Sequence, residues 1–545
     1  MKRNIAQKMT FFVLVLSLVE ATSADVRAPD SWRGHWAGWA YGEGMDFPLR
    51  LNVDGDDAVR FFTPVAAAML QAPTEIDGTG AGWVVLGETA KGGTYELNVR
   101  LIDRWLVGSG SINGSLSFTF ELLPAAVSLE YEPVDDAAPL IPEGDYVGKN
   151  GDLIVVHNRS WGEVIIEHDS VGRTAFWTSP DTFVLGPALY AINEVTATGA
   201  IERSSAGDIT ALHLTGEEID FHGRPVKFPE HEITGEGDGG VLHGNLIMPG
   251  GAGPFPAVII IGGSEWQTGD EWRHWAKQFA AMGIAALVYD KAGYGESEGD
   301  RLEWFVQTAR DAAVMAAAVR SRPDVRDDAV GVAGISRGGW TAPLAAVIDE
   351  DISFVIGFVA PAVSPEEQET TRRLNELADE LESAGDRELA RRYLEALSDY
   401  AASGDNWERY AELRLAVDER GWLDVLGGSD DRYDPEWAWS RLNRRYDPVP
   451  VIEQLSCPVL VVLAGADSNV TLQDNEPRWR RALERAPTNV WRIEVIAGSD
   501  HGYRLGGLLA GREARIHDAV GWSPLVWSAV RKWADEVRQG QRWDE

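Results

Sequence analysis

Short runs in which apolar and polar residues alternate recur between residue 28 and about residue 230. Alternation with a period of two predicts β-strands that have one face in a core and the other face in water. Turn-forming Gly, Asp, Asn and Ser residues bound each run. The clearest runs lie at 47–53, 95–101, 116–122, 153–157, 164–167 and 209–214. A proline-rich join at 137–142 predicts two β-rich units, one over 25–138 and the other over 139–230.

The pattern changes from about residue 240 onward, where continuous apolar runs alternate with helical patterns. Strands of a parallel sheet are buried on both faces and are apolar throughout, and the connections between them are usually helices. The apolar runs lie at 257–261, 285–289, 329–333, 354–359, 459–463 and 491–496. The helical patterns lie at 271–282, 302–320, 338–347, 477–486 and 524–537. We therefore predict an α/β domain with a mostly parallel sheet over 231–545.

A charged, helical stretch over 366–445 interrupts this alternation directly after Pro365. Its helical patterns cover 366–384, 387–402 and 407–418. A helical insert between two strands of such a sheet predicts a lid over a site.

One face of the first insert helix is an apolar stripe, which must pack against something apolar. The stripe consists of Leu374, Leu377 and Leu381. We expect most of this stripe to face the insert's other helices and part of the apolar surface to cover the acyl pocket. We expect Trp407, Trp422 or Trp437 to form part of that cover.

The composition is that of an ordinary globular protein, because 44% of the 545 residues are apolar and 25% are charged. Asp and Glu number 85 against 49 Lys and Arg, which gives a formal net charge of −36. So acidic a surface repels phosphate backbones and argues against a nucleic-acid partner.

Metal and disulfide chemistry are not indicated. Cys457 is the single cysteine of the sequence, so no internal disulfide can form, and its place beside an apolar run favours a small buried side chain over a reactive thiol. No Cys/His cluster has zinc spacing, and the carboxylates near 430–434 lack the glycine and terminal Glu of a calcium loop. We predict no metal and no cofactor.

The N-terminus has the pattern of a secretory signal peptide. Lys2 and Arg3 precede an apolar segment of nine residues at 11–19, in which Ser17 is the one polar residue, and small residues follow before Asp25. Nine residues are too few to span a bilayer, which takes about 20. We predict a signal peptide over 1–24, rather than an ordinary apolar helix, and a mature protein that is periplasmic or secreted.

The predicted strand at 329–333 runs into Gly334-Ile335-Ser336-Arg337-Gly338. The pattern G-x-S-x-G between a buried strand and a helix is the nucleophile elbow of the α/β-hydrolase fold. The two glycines allow the tight turn that exposes the serine hydroxyl. We therefore predict an α/β-hydrolase domain in which Ser336 is the nucleophile.

A serine nucleophile needs a histidine base and an acid that orients the base, and in this fold their order is Ser, Asp or Glu, then His. Asp467 follows the apolar run at 459–463 and is the favoured acid, with Asp474 as its rival. His501 follows the run at 491–496 and is the predicted base, while its neighbour Asp500 is expected to be structural.

The tetrahedral intermediate of acyl transfer needs hydrogen-bond donors for its oxyanion. One predicted donor is the backbone N–H of Arg337, directly after the nucleophile. The second comes from the loop after 257–261, where the backbone N–H of Ser264 is favoured and that of Glu265 is the alternative.

Several motifs carry a resemblance to a known family from about residue 235 to the C-terminus. They are GNLIMP at 244–249, YDKAGYGES at 289–297, GWTAPLAA at 339–346 and SDHG at 499–502. With them the chain resembles secreted bacterial α/β-hydrolases of the serine-aminopeptidase-like or dienelactone-hydrolase-like type, which often carry an N-terminal β region. The resemblance implies metal-free hydrolysis of acyl compounds. The family usually has His-Gly-Ser-Gly where this chain has Gly262-Gly263-Ser264-Glu265.

Together these patterns predict an exported serine hydrolase that cleaves carboxylic esters through an acyl-enzyme. The first alternative is a serine aminopeptidase or another peptidase of the same fold. The second is an acyl-thioester hydrolase, against which export argues because coenzyme A esters are cytosolic. The last is a catalytically dead binding protein, against which Ser336, Asp467 and His501 argue. The expected partner is a small acyl ester or a short peptide, and no membrane span is predicted.

Overall fold

The N-terminal region is β-rich, as the alternating runs predict. The computed structural model describes residues 29–538 except 43–44, 54–58, 63–69, 80–81, 90–92, 103–104, 114–115, 127–140, 142, 159–163, 169–170, 188–191, 193, 218, 265–267, 302–303, 379, 382 and 504–522. The predicted signal peptide over 1–24 and all of the join at 137–142 except Ile141 lie outside the described residues.

The first β-rich unit is an antiparallel sheet around its own apolar core. Its strands are β1 (Gly34–Gly42), β2 (Met45–Val53), β3 (Val59–Phe62), β4 (Leu70–Thr79), β5 (Gly82–Thr89), β6 (Thr94–Ile102), β7 (Trp105–Ile112) and β8 (Leu116–Pro124). Their order in the sheet is β3-β2-β1-β8-β7-β6-β5-β4. Trp32, in the short 3-10 helix Asp30–Trp32, and Trp36 are both buried in this core. The indole N–H of Trp36 donates to the Trp32 carbonyl at 2.8 Å.

The second unit is a closed antiparallel barrel. Its strands are β9 (Gly144–Gly148), β10 (Leu153–Asn158), β11 (Val164–His168), β12 (Val171–Ser179), β13 (Thr182–Leu185), β14 (Ala197–Arg203), β15 (Ile209–Gly216) and β16 (Asp220–Val226). The barrel closes between β16 and β9, where Arg224 lies opposite Val147. Closure leaves no unpaired strand edge.

The third sheet carries the chemistry. Its strands are β17 (Glu230–Gly237), β18 (Gly240–Ile247), β19 (Phe255–Ile261), β20 (Ala285–Tyr289), β21 (Val325–Ile335), β22 (Val355–Phe358), β23 (Val459–Ala464) and β24 (Trp491–Ile496). Their order is β17-β18-β20-β19-β21-β22-β23-β24. The pairs from β20 to β24 are parallel, and β17 and β18 are antiparallel at one edge. The sequence analysis missed β17, because Ile233 is its only buried residue.

Helices flank this sheet and form the insert. They are α1 (Arg273–Ala281), α2 (Phe305–Arg320), α3 (Gly338–Ile348), α4 (Pro365–Glu376), α5 (Ala384–Ser403), α6 (Trp407–Asp418), α7 (Leu423–Leu426), α8 (Glu436–Asn443), α9 (Val449–Ile452), α10 (Leu472–Leu483) and α11 (Pro524–Arg538). A short 3-10 helix, Gly269–Trp272, precedes α1.

Two predicted helix boundaries are wrong by about five residues or more, each for a local reason. The first insert helix ends at Glu376 rather than 384, because Ser383 is the N-cap of α5 and accepts a hydrogen bond from the Asp386 N–H. The helix predicted to start at Pro477 starts at Leu472 instead. Pro477 lies inside that helix, which is stabilised at its start by the Thr471 hydroxyl bonding the Asp474 carboxylate at 2.7 Å.

The insert has a core of its own. Its buried side chains include Leu377, Leu381, Tyr393, Leu397, Tyr400, Tyr410, Leu426, Trp422 and Trp437. Trp407 packs on the same core, with its ring 4.8 Å from that of Tyr400. The expectation that Trp407, Trp422 or Trp437 covers a pocket is therefore wrong: these side chains stabilise the insert itself.

The barrel packs directly on the helical layer formed by α1 and α11. The Lys277 ammonium of α1 lies 2.9 Å from the Asp145 carboxylate, and Arg531 of α11 lies 3.1 Å from Asp152. At Gly151, a Cβ atom would lie 2.9 Å from the Cα of Met282, so only glycine allows this close approach.

A buried carboxyl group in α2 makes stability depend on pH. Asp311 is almost fully buried, and burial raises its pKa from 3.8 to about 6, although Gln307 donates to it at 2.8 Å. The folded state therefore favours the protonated form of Asp311. The contribution of this protonated carboxyl to stability is complete below pH 3.8 and is lost as the pH rises through about 6.

We expect Asp311→Asn to raise the free energy of unfolding by about 1–3 kcal/mol at pH 8, and by less at pH 5, because the amide never ionises. Thermal unfolding at both pH values measures the difference. Asp328→Asn is the control, since Arg326 lowers the pKa of that exposed carboxyl and its replacement gives no gain. An equal effect of Asp311→Asn at both pH values would contradict the ionisation argument.

Candidate active site

Ser336 lies in a strained turn between β21 and α3. Its φ of 52° is in the left-handed region, which non-glycine residues rarely adopt. The neighbouring glycines are required by close contacts. A Cβ atom at Gly334 would lie 2.1 Å from the Gly338 carbonyl oxygen, and one at Gly338 would lie 2.1 Å from that of Ile261. The G-x-S-x-G pattern is thus the sequence that this turn needs.

His501 joins the serine to a buried carboxylate. Its Nε2 lies 3.0 Å from the Ser336 hydroxyl oxygen, and its Nδ1 lies 2.7 Å from Oδ2 of Asp467. Asp467 follows β23 and His501 follows β24, and the carboxyl ends of parallel strands meet at one edge of a sheet. When Nδ1 carries the imidazole proton and donates it to the Asp467 carboxylate, Nε2 is unprotonated and can accept the proton of the serine hydroxyl.

The Asp467 side chain is fully buried, and both of its oxygens are occupied. Oδ1 accepts the backbone N–H groups of Asn469 and Val470, each at 2.8 Å, while Oδ2 faces His501. The rival Asp474 instead accepts the Thr471 hydroxyl in the first turn of α10. Asp500 accepts the Gly502 N–H at 2.9 Å within the turn that carries His501.

Tyr503 was not singled out by the sequence analysis and anchors that same turn. Its hydroxyl donates to the Val462 carbonyl at 2.7 Å and accepts the Val359 N–H at 2.9 Å. Burial raises the pKa of Tyr503 well above its usual range, so the phenol stays neutral. The only sequence signal is its place two residues after His501.

The two predicted oxyanion donors flank the serine. Arg337 directly follows Ser336 and is the N-cap of α3. Ser264 lies in the loop after β19. Its neighbour Gly263 is close to the serine, because a Cβ atom added at Gly263 would lie 3.6 Å from the Cβ of Ser336. The alternative donor Glu265 lies outside the described residues.

The insert reaches this site through α8 and α4. The Trp439 ring of α8 lies 5.1 Å from the Arg337 guanidinium carbon and 6.0 Å from the Phe305 ring. Gln368 of α4 bonds the side chain of Asn469, in the loop of Asp467, at 2.9 Å. Trp439 is thus the insert tryptophan beside the nucleophile, and the sequence analysis missed it.

Within the part of the chain that the structure describes, no group of three or more His, Cys, Asp or Glu side chains could hold a metal ion. No described helix is long and apolar enough to cross a membrane. Burial raises the pKa of the Cys457 thiol to about 12, which keeps it protonated near neutral pH.

The chain is similar in sequence to a peptidase family and to an esterase. Residues 238–503 match the model of the X-Pro dipeptidyl-peptidase (S15) family. Esterase EstD of Thermotoga maritima is 27% identical over 270 residues, which are 48% of this chain and 58% of that protein. The chain is an α/β-hydrolase of the serine-hydrolase type. The chain spans little more than half the length of EstD.

Two solved structures are each similar to part of this chain. GrgF, an α/β-hydrolase from Penicillium sp. sh18, is 18% identical, with 57% of this chain and 98% of that chain covered and a TM-score of 0.36. Est1E from Butyrivibrio proteoclasticus, solved with ferulic acid bound, is 17% identical, with 56% and 98% covered and a TM-score of 0.36.

Proposed function

We propose that this hydrolase is exported and cleaves carboxylic esters through an acyl-enzyme, with Ser336, His501 and Asp467 as catalytic residues. The hydrogen-bonded series from Asp467 through His501 to Ser336, at 2.7 and 3.0 Å, is the observation that carries the proposal. The similarity to esterase EstD supports ester hydrolysis. The N-terminal charge and apolar pattern supports export, and N-terminal sequencing of secreted protein, expected to begin at Asp25, tests it.

In the proposed reaction, the Ser336 oxygen attacks the ester carbonyl carbon while its proton passes to Nε2 of His501. The backbone N–H groups of Arg337 and Ser264 stabilise the negative charge that forms on the carbonyl oxygen. Collapse of the intermediate breaks the bond to the alcohol oxygen, which leaves with the proton from His501. Water then attacks the acyl-enzyme in the same way, releases the acid and returns the proton to Ser336.

A peptidase is the second candidate, and the match to the X-Pro dipeptidyl-peptidase family favours it. The two candidates share every step except the leaving group, which is an amine rather than an alcohol. Purified protein assayed on p-nitrophenyl esters of increasing acyl length and on aminoacyl and X-Pro p-nitroanilides separates them. Ester turnover without measurable anilide turnover supports the esterase, and efficient turnover of an aminoacyl or X-Pro anilide supports the peptidase. Failure of a fluorophosphonate to label Ser336 would contradict both.

We further propose that the insert over 366–445 acts as a lid, with Trp439 as the residue that shapes the acyl pocket. Two contacts support this proposal: the Trp439 ring lies against the Arg337 guanidinium, and Gln368 bonds the side chain of Asn469. Trp437 and Trp439 are two residues apart in α8, so they point to nearly opposite sides of the helix. One side packs in the insert core and the other meets the nucleophile turn.

Trp439→Ala is expected to change the ratio of kcat/KM between long and short acyl esters by about 10-fold or more, because a large apolar wall is removed. Labelling of Ser336 by a small phosphonate is expected to change by less than about threefold. Tyr433→Ala is the control, since Tyr433 is on the insert but 84% exposed. An unchanged acyl-length preference in folded Trp439→Ala protein would show that Trp439 does not shape the pocket.

A further inference from the structure

A buried lysine lies beside the loop that carries the predicted oxyanion donor. Lys291 is 6% exposed, and its ammonium group donates to the Gly263 carbonyl at 2.7 Å. Lysine side chains are almost never fully buried without a partner, because removing the charge from water is costly. Neither the predicted catalytic residues nor the proposed steps use this charge.

Strand register explains why these two residues meet. In the parallel pair of β19 and β20, Ala257 lies opposite Ala285 and Ile260 lies opposite Val288. The same offset carried past the strand ends places Gly263 level with Lys291. The pairing of β19 with β20 therefore brings Lys291 next to this loop.

The hydrogen bond to Gly263 also sets the direction of the next N–H group. The Gly263 carbonyl and the Ser264 N–H belong to one planar trans peptide, so they point in opposite directions. The sheet order β20-β19-β21 puts Lys291 on one side of the loop and Ser336 on the other. A carbonyl held toward Lys291 thus leaves the Ser264 N–H on the side of β21, the strand that leads into Ser336.

We propose that Lys291 is a positioning residue for the oxyanion hole: it fixes the Gly263–Ser264 peptide with its N–H toward Ser336 and adds positive charge behind the developing oxyanion. The inference rests on the proposed serine-hydrolase function. Donors that are fixed in advance in a buried site stabilise a developing charge without reorganising during the reaction. The benefit appears in the tetrahedral state, where the oxygen is charged, and is small for the neutral substrate.

The test replaces Lys291 by methionine, which retains an unbranched apolar side chain and removes the donor and the charge. We expect Lys291→Met to lower kcat by about 10- to 100-fold while KM stays within about twofold. Lys277→Met is the matched control, since Lys277 is a partly buried lysine that pairs with Asp145 at the barrel contact. Its kcat is expected to equal that of the wild type.

A boronic acid probe separates this role from a purely structural one. An alkylboronic acid forms a bond from the Ser336 oxygen to boron, the serine proton passes to His501, and the resulting tetrahedral boronate is an anion that places one of its hydroxyl groups in the hole. Its affinity is expected to fall by the same factor as kcat/KM in Lys291→Met. A folded variant with wild-type kcat and boronate affinity, or with a change in KM alone, would overturn the proposal.

If Lys291→Met does not fold, a structure of the wild type with a phosphonate on Ser336 decides the matter. The phosphonyl oxygen is expected at about 3 Å from the Ser264 nitrogen, with Gly263 still bonded to Lys291. A Ser264 N–H that points away from the phosphonate would overturn the proposal. Absence of any label on wild-type Ser336 is a different result, because it would contradict the proposed function itself.

Discussion

Ser336→Ala is expected to lower ester hydrolysis by about 10⁴- to 10⁶-fold, because the variant lacks the hydroxyl oxygen that the proposed mechanism needs to form the acyl-enzyme. The residual rate comes from substrate binding and the oxyanion donors alone. Alanine introduces no clash, since it only removes the hydroxyl that faces His501 at 3.0 Å. The measurements are kcat/KM with a fluorogenic ester, phosphonate labelling and circular dichroism.

The matched control is Ser353→Ala. The Ser353 hydroxyl donates to the Val330 carbonyl at 2.9 Å, near the amino end of β22, away from the site edge. We expect wild-type turnover from this variant. Near-native hydrolysis by folded Ser336→Ala protein would mean that another residue is the nucleophile.

Asp467→Asn is expected to lower kcat by about 10³- to 10⁴-fold, although the side-chain shape is retained. In the wild type, the buried Asp467 carboxylate accepts the Nδ1 proton of His501 at 2.7 Å and so leaves Nε2 free to accept the serine proton. An amide that turns its NH₂ toward Nδ1 favours the opposite tautomer. The neutral amide also fails to stabilise the imidazolium that forms.

Asp474→Asn is the control that the chain itself provides. It retains an oxygen for the Thr471 hydroxyl and loses only a negative charge at the start of α10. We expect kcat to stay within about threefold and stability to fall by about 0.3–1 kcal/mol. A severe loss of kcat for Asp474→Asn with a mild one for Asp467→Asn would move the acid to Asp474.

The elements of the catalytic domain could be located from the sequence because their signals are local. A strand covered on both faces, such as β19, is apolar throughout, and the G-x-S-x-G turn needs its glycines for contacts within a few residues. The rule that orders Ser, Asp and His along the chain selected three side chains in which His501 lies within hydrogen-bond distance of both Ser336 and Asp467.

What could not be predicted depends on packing between distant segments. Trp437 and Trp439 are equally apolar in the sequence, and only the docking of α8 decides which one meets Arg337. Lys291 gives no local sign that it bonds Gly263, because the contact follows from strand order and register. The start of α10 was missed because Pro477, usually a helix start, lies inside this helix.

The left-handed backbone of Ser336 has a consequence for engineering this hydrolase. Holding a residue with a Cβ at a φ of 52° costs about 1 kcal/mol, which glycine does not incur. Ser336→Gly therefore relieves strain at the same position where it removes the proposed nucleophile. A directed-evolution library selected for heat tolerance alone will enrich inactive variants at this codon, so each round of selection has to include turnover.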